Sequence, residues 1–359
     1  MRTSFADVCV GRPPVATHND QEENIMKSAI KAVTEGKDLS LEEAKRVAEI
    51  LLSGEATQAQ IGSFLTALRM KGETVDEITG CALVIKEKAE HIHPKQDVYV
   101  DIVGTGGDGS NSFNISTTSG FVIAGAGVAV AKHGNRAISS RSGAGDVLEA
   151  LGVKITAEPA EVEACINEIG MGFMFAPTFN KSMRFVGQAR SEMGIRSVFN
   201  ILGPLANPSD SKYQMIGVYS TELCEPICEA MAGLGVERAM VVSCGGMDEI
   251  STTGETTVAE LKDGEVSVYT ITPEQFEIPR ASAEDIVGGT GEENARITKA
   301  ILSGEKGPKR DIILLNAGAA LYVAGKAADI KEGMALAAES IDSGKAMEVL
   351  NKLVAFTNK

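Results

Sequence analysis

Positive charge is scarce in this 359-residue chain: 34 Lys and Arg against 49 Asp and Glu leave a formal net charge of −15. Nucleic-acid backbones and anionic membrane surfaces are held through an excess of Lys and Arg, so the balance argues against both as broad partners. No apolar run approaches the roughly eighteen residues of a transmembrane helix. The N-terminus lacks the basic-then-apolar layout of a secretion signal, which makes a cytoplasmic protein the expectation. The six cysteines, Cys9, Cys81, Cys165, Cys224, Cys228 and Cys244, form no CxxC pair, and no further thiol or His completes a site around Cys224 and Cys228. Free buried thiols are the reading. A Walker A loop is missing too, because no GK[ST] follows a GxxxxG spacing.

What is present begins after residues 1–18, whose Gly11-Arg12-Pro13-Pro14 and lack of apolar periodicity predict a mobile extension. Ser40-Leu41-Glu42-Glu43, Thr57-Gln58-Ala59-Gln60 and Thr74-Val75-Asp76-Glu77 are capping-box patterns, and Gly36, Gly54 and Gly72 close the preceding runs. They predict helices at about 21–35, 41–53, 58–71 and 75–90. Pro94 and its polar neighbours read as a hinge.

Past residue 97 the period changes. Short β-branched runs at 98–103, 128–131, 172–175, 213–219 and 239–243 alternate with helical ones at 116–126, 144–151, 159–169 and 222–234. This predicts a largely parallel sheet covered by helices. A polar-faced helix at 180–193 follows, then an apolar run broken by Gly203-Pro204. A hairpin around Lys262-Asp263-Gly264 and helices at 291–303, 315–324, 330–341 and 345–355 complete the chain. The expected fold is α/β: a small N-terminal all-helical domain (19–92, joined by the segment about 180–205) hinged to a larger α/β domain (97–179 and 206–359) with a largely parallel central sheet.

The densest chemistry lies in residues 101–146. Gly104-Thr105-Gly106-Gly107-Asp108-Gly109 follows a strand, and so many glycines leave backbone N–H groups uncovered for an anion. Asn114, Ser116 and Thr117 open a helix whose first amides point the same way. Lys132, His133, Gly134, Asn135 and Arg136 follow the next strand, with Arg141 nearby. Strand ends of a parallel sheet are where such segments meet, so the window reads as a phosphate or pyrophosphate site. Although the loop satisfies GxGxxG by letter, no Asp or Glu occurs between Asp108 and Asp146 to hold a ribose, which argues against a dinucleotide. Asp248-Glu249, after the strand ending near Val242, is either a solvated turn or a pair of Mg²⁺ ligands beside the phosphates. Arg184, Arg190 and Arg196 are either surface cations or, for Arg190 and Arg196 around Gly194, a guanidinium offered to a carboxylate.

GTGGD (104–108), NIST (114–117), KHGNRAISSRSGAGDVLEALG (132–152), FNILGPLANP (199–208), DEIST (248–252) and GPKRDIILLNAGAALYVAGKA (307–327) resemble the anthranilate phosphoribosyltransferases of tryptophan biosynthesis over about residues 21–357. The resemblance implies a homodimer of two-domain subunits, with phosphoribosyl pyrophosphate in the α/β domain and anthranilate at the hinge. It carries Gly104, Thr105, Gly106, Gly107, Asp108, Asn114, Ser116, Thr117 and the run Lys132, His133, Gly134, Asn135 and Arg136 over as substrate-binding residues. It also carries Ser116, Asp248 and Glu249 over as Mg²⁺ ligands. Asn135, Arg190 and Gly203-Pro204 would contact the aromatic amine, with Arg190 on its carboxylate. No residue is assigned with certainty as an acid or base; His133 either orients the acceptor, relays its proton or is a structural contact. Asn180-Lys181-Ser182-Met183 stands where the family often reads HPAM, and Val241-Val242-Ser243-Cys244 where it often reads VVHG, leaving another aromatic amine as an alternative acceptor. Pyrimidine nucleoside phosphorylases, of the same fold, are the other alternative, though their loop reads KHSTGG rather than GTGGDG.

Overall fold

The computed structural model describes residues 18–137 and 141–359, so the predicted extension lies outside the described residues except for His18. Helices α1 (His18–Thr34), α2 (Leu41–Ser53), α3 (Gln58–Lys71) and α4 (Val75–Glu87) form the N-terminal layer. Each predicted capping box is made: the side chains of Ser40, Thr57 and Thr74 accept from the amides of Glu43, Gln60 and Glu77. Those amides would otherwise lack partners, which is why each helix starts where it does.

Seven strands follow, β1 (Tyr99–Gly104), β2 (Ala129–Gly134), β3 (Met171–Phe175), β4 (Tyr213–Gly217), β5 (Arg238–Ser243), β6 (Thr256–Lys262) and β7 (Glu265–Ile271). Their order is β3-β2-β1-β4-β5-β6-β7. The first five are parallel and the last two antiparallel. The β6–β7 turn is the predicted hairpin; Asp263 (φ 53°) and Gly264 (φ 81°) both take the positive φ that a two-residue loop of this kind requires.

Strand alternation divides the core. Val100, Ile102, Val130, Met215, Met240 and Val242 face one apolar cluster with the helices Ile115–Gly125, Pro308–Val323, Ile330–Asp342 and Lys345–Thr357. Their neighbours Ile216, Ala239 and Val241 face a second cluster, which runs unbroken through Val186, Phe199 and Leu202 into α1–α4. The helical layer is therefore built from two separated stretches, 18–87 and 184–205.

Chain passes between the layers three times, at 88–98, 176–183 and 206–212, and the three crossings are tied pairwise. The Glu90 amide donates to the Phe179 carbonyl (2.9 Å), the Ile92 amide to the Pro208 carbonyl (3.3 Å) and Asn180 Nδ2 to the Ala206 carbonyl (3.4 Å).

Several elements depart from the sequence reading, among them the helix expected at 180–193, whose α-helical part begins at Arg184. Strand β2 runs to Gly134 instead of ending at Ala131, because its pairing with β3 continues to Gly134–Phe175; Lys132 and His133 thus lie within the sheet. The helix expected at 315–324 starts at Pro308, where proline fits a first turn; the charged Lys309, Arg310 and Asp311 masked that start.

Candidate active site

From the β1–β4 boundary the strand order runs outward in both directions, and an open parallel sheet carries its ligand crevice at such a reversal, beyond the strand ends. Gly104 and Gly217 end the two strands there and are register partners. The Asp248-Glu249 loop lies across both. A Cβ on Gly104 would come within 2.8 Å of Asp248 Cγ; one on Gly217 would fall on the Asp248 carbonyl and lie 3.0 Å from its Cα. Only two adjacent glycines let the acidic loop descend onto the sheet.

The glycine loop closes on that pair. The Thr105 amide donates to the Gly217 carbonyl (2.9 Å) and the Gly106 amide to Asp248 Oδ2 (2.6 Å). Gly106, Gly107 and Gly109 have φ values of 68°, 66° and 77°, which favour glycine at each position. Asp108 turns back, accepting from the Ser110 amide (3.1 Å) and the Asp248 amide (3.4 Å). Asn114 is the residue before the helix α5 (Ile115–Gly125), but its side chain makes no cap. The Ser116 amide donates instead to Glu249 Oε1 (3.2 Å). Asn114 Oδ1 accepts from Asn294 Nδ2 (2.8 Å) and Ser142 Oγ (3.0 Å), which fixes its amide. The Thr117 hydroxyl is buried without a protein partner.

Lys132 is buried in β2. Its Nζ donates to the Ile102 carbonyl (2.5 Å) and Ser116 Oγ (3.3 Å). Burial pulls its pKa down, opposed by Asp101, Glu249 and Asp248. Asp101 is fully buried and pushed up to about 6 by burial; Lys132, Asn207 Nδ2 (2.6 Å) and the His133 amide (3.3 Å) work the other way. Burial also raises Asp248 to about 7, with Asp108 adding repulsion, and Glu249 well above its ordinary range, with Asp248 adding to it.

Two buried carboxylates that resist ionisation together make an all-oxygen site suited to a hard divalent cation. Asp248 and Glu249, with Ser116 Oγ beside them, are the residues that could hold it. Among the described residues no cluster of three or more His, Cys, Asp or Glu forms a metal cage, so ligand phosphates and water would have to complete the coordination.

Among the residues expected to face an acceptor, burial pushes His133 down to about 4, opposed by its hydrogen bond to the Gly203 backbone, and Nε2 has no protein partner. Gly203-Pro204 lies inside a helix, Phe199–Leu205, rather than in a break. Arg190 is half-buried over the Phe199 ring (5.5 Å), and among the described residues no carboxylate lies within 4.0 Å of it. Burial lowers its pKa.

Arg136 is not brought to the acidic pair. Its guanidinium is paired with Glu149, 3.5 Å from Asp146 and over Phe175, while its amide donates to Asn135 Oδ1 (2.7 Å). Arg141 lies 3.7 Å from Glu293, and Arg184 stacks over Phe185. Asn180 and Ser243 are buried, with Asn180 Oδ1 and the Ser243 hydroxyl lacking protein partners. Asp101, Asn207, Gly217 and Asn294 escaped the sequence reading. A lone glycine at the end of the β4 run was the one available signal, marking close backbone approach.

Residues 96–347 match the glycosyl transferase family a/b domain and residues 27–89 the helical bundle domain of the same family. The chain is 53% identical over 335 residues, 93% of its length and 97% of the other, to the anthranilate phosphoribosyltransferase of Acetivibrio thermocellus. The crystal structure of the Thermus thermophilus anthranilate phosphoribosyltransferase superposes with a TM-score of 0.88 at 44% identity, covering 92% of this chain and 99% of that one. The solved structure of the anthranilate phosphoribosyltransferase from Saccharomyces cerevisiae in complex with PRPP and Mg gives 0.86 at 30% identity, covering 94% of this chain and 98% of that one.

Proposed function

The chain belongs to the anthranilate phosphoribosyltransferase family, and from that membership we propose how its residues divide the family reaction between them. A 5-phosphoribosyl group moves from phosphoribosyl pyrophosphate (PRPP) to the amino nitrogen of anthranilate, and pyrophosphate leaves. The reading of this site rests on one observation: Asp248 and Glu249 are gripped by the Gly106 and Ser116 amides, with buried Lys132 alongside.

An aryl amine is neutral at pH 7, so making the nucleophile needs no strong base. The difficult event is departure of pyrophosphate from C1′ with oxocarbenium-like charge on the ribose, and positioning with electrostatic stabilisation is what the site must supply. The glycine loop Gly104–Asp108 and the α5 start, with Asn114, Ser116, Thr117 and Lys132, bind the donor. Asp248, Glu249 and Ser116 would hold Mg²⁺, which when bound would supply positive charge to offset that of the leaving group. Arg190, with no carboxylate within 4.0 Å among the described residues, takes the acceptor carboxylate, and Asn135 with the Gly203-Pro204 segment borders the ring. His133, uncharged at pH 7 because of its burial, serves as a neutral hydrogen-bonding group rather than a cation. Arg136, held by Glu149, reaches the donor only by exchanging that partner.

The reading also takes residues 19–92 with 180–205 as one domain and 97–179 with 206–359 as the other. Closure between them would exclude the water that hydrolyses an activated sugar. The first apolar cluster, which draws only on 97–179 and 206–359, and the three tied crossings support that division, while the second cluster joins the two. We read the protein as a cytoplasmic homodimer; among the described residues no helix is long and apolar enough to cross a membrane.

The test is the loss of anthranilate fluorescence with enzyme, PRPP and Mg²⁺, compared with isomeric aminobenzoates. Mg²⁺-dependent pyrophosphate release supports the reading; phosphate-dependent cleavage of a pyrimidine nucleoside, without transfer to anthranilate, overturns it.

A further inference from the structure

We infer that Arg196 is a positioning residue that latches the acceptor-side segment onto the glycine loop, so that each substrate tightens the site of the other. The helix Arg184–Met193 ends at Gly194, whose φ of 62° turns the chain. On one side of that turn Arg190 stands over Phe199. Six residues on, the Arg196 guanidinium carbon lies over the Tyr219 ring, 4.0 Å from its centroid, and the guanidinium donates to the Gly107 carbonyl. Tyr219 lies two residues beyond the end of β4, the strand paired with β1, so the ring stands beside the loop that β1 feeds. It is also within electrostatic reach of Arg69 and Glu73 at the end of α3.

One short segment thus joins both half-sites. Among the described residues Arg196, though exposed, has no carboxylate within 4.0 Å; a ring face and one carbonyl hold it instead. A stack and one charge-assisted bond at an exposed position form a contact weak enough to open and strong enough to bias the loop. Donor phosphates that order residues 104–109 would fix the Gly107 carbonyl, and through Arg196 the segment carrying Arg190. An acceptor carboxylate on Arg190 would act in the reverse direction by the same factor, since coupling between sites is reciprocal. This inference rests on the proposed donor and acceptor subsites.

Two measurements test it. In the free protein, Arg196→Ala should raise amide exchange across residues 105–112 about tenfold without lowering the melting temperature; exchange equal to wild type overturns the latch, whatever the protein catalyses. In calorimetry with Mg²⁺, 2-hydroxybenzoate, which keeps the carboxylate but lacks the amine, should tighten PRPP binding to the wild type. Arg196→Ala should lose most of that tightening, about tenfold, and Tyr219→Leu part of it. Arg184→Ala, whose guanidinium stacks on Phe185, should keep it. Coupling in Arg196→Ala within twofold of wild type overturns the inference, while a wild type that binds no PRPP overturns the proposed function and leaves the exchange result to decide the latch. Should the alanine variant fold poorly, Arg196→Lys, which keeps the charge without the planar face, should give intermediate exchange and coupling; wild-type values for both would overturn the latch.

Discussion

Replacing Gly217 by alanine adds one methyl group and should cost most of the activity. The new Cβ would coincide with the Asp248 carbonyl and sit 3.0 Å from its Cα, so the acidic loop must retreat roughly 1–2 Å to reach ordinary contact. A 1 Å misplacement of a catalytic group costs about 100-fold, and overpacking of this kind costs about 1–3 kcal/mol. The retreat also breaks the Gly106–Asp248 bond that seats the carboxylate. Gly217→Ala should therefore lower kcat/KM for PRPP about 100-fold, raise the Mg²⁺ concentration for half-maximal rate about tenfold and lower Tm by about 1–4 °C. Gly104→Ala presses on the Asp248 side chain rather than its backbone, and should disturb Mg²⁺ dependence more than stability. As a control, Gly62 in α3 has open space around it, so Gly62→Ala should add about 0.5–1 kcal/mol and leave rates unchanged. The assay is anthranilate fluorescence over a Mg²⁺ titration, with thermal melts. A Gly217→Ala enzyme within threefold of wild type, with unchanged Mg²⁺ dependence, refutes the argument that the two glycines exist to admit the acidic loop.

Further expectations follow from the buried charges and from Arg190. Asp248 binds a proton more tightly folded than unfolded, so the stability cost of ionising it grows as pH rises above 3.8 toward about 7. Asp248→Asn should then raise Tm at pH 8 without Mg²⁺ while abolishing transfer; Mg²⁺ should stabilise the wild type and not the variant. His133 has the opposite sense: its folded pKa of about 4 lies below the ordinary 6.5, so the unfolded chain takes up the proton first. Its contribution is complete above pH 6.5 and declines by about 3 kcal/mol as pH falls toward 4, which urea midpoints of wild type and His133→Gln should separate. Arg190→Ala should raise the anthranilate KM or cut kcat/KM about 10- to 100-fold with little change in PRPP affinity; equal losses for both substrates would remove Arg190 from the carboxylate role.

Local chemistry was the part most legible in the residues. Capping boxes at Ser40, Thr57 and Thr74 gave helix starts that the fold keeps, and Asp263-Gly264 gave the hairpin, because both devices act within four residues. The site was legible where it is contiguous, from Gly104 to Thr117. Lys132 was placed after its strand rather than within it, because nothing near it in sequence matches its charge. Asp101, 31 residues earlier, and Glu249, 117 residues later, do so only once the sheet forms. Asn294 on Asn114 and Arg196 on Gly107 escaped for the same reason, being contacts across 180 and 89 residues.

The three tied crossings constrain how the layers can move. A single connecting strand would let one body swivel freely on the other, and two would still permit rotation about the line joining them. Three connections, each bonded to the other two through Glu90, Ile92 and Asn180, leave bending as the soft coordinate and make twisting stiff. The same threading means that no single cut releases the helical layer intact. A fragment ending near residue 95 would lack Val186, Phe199 and Leu202, and would expose the apolar surface they cover.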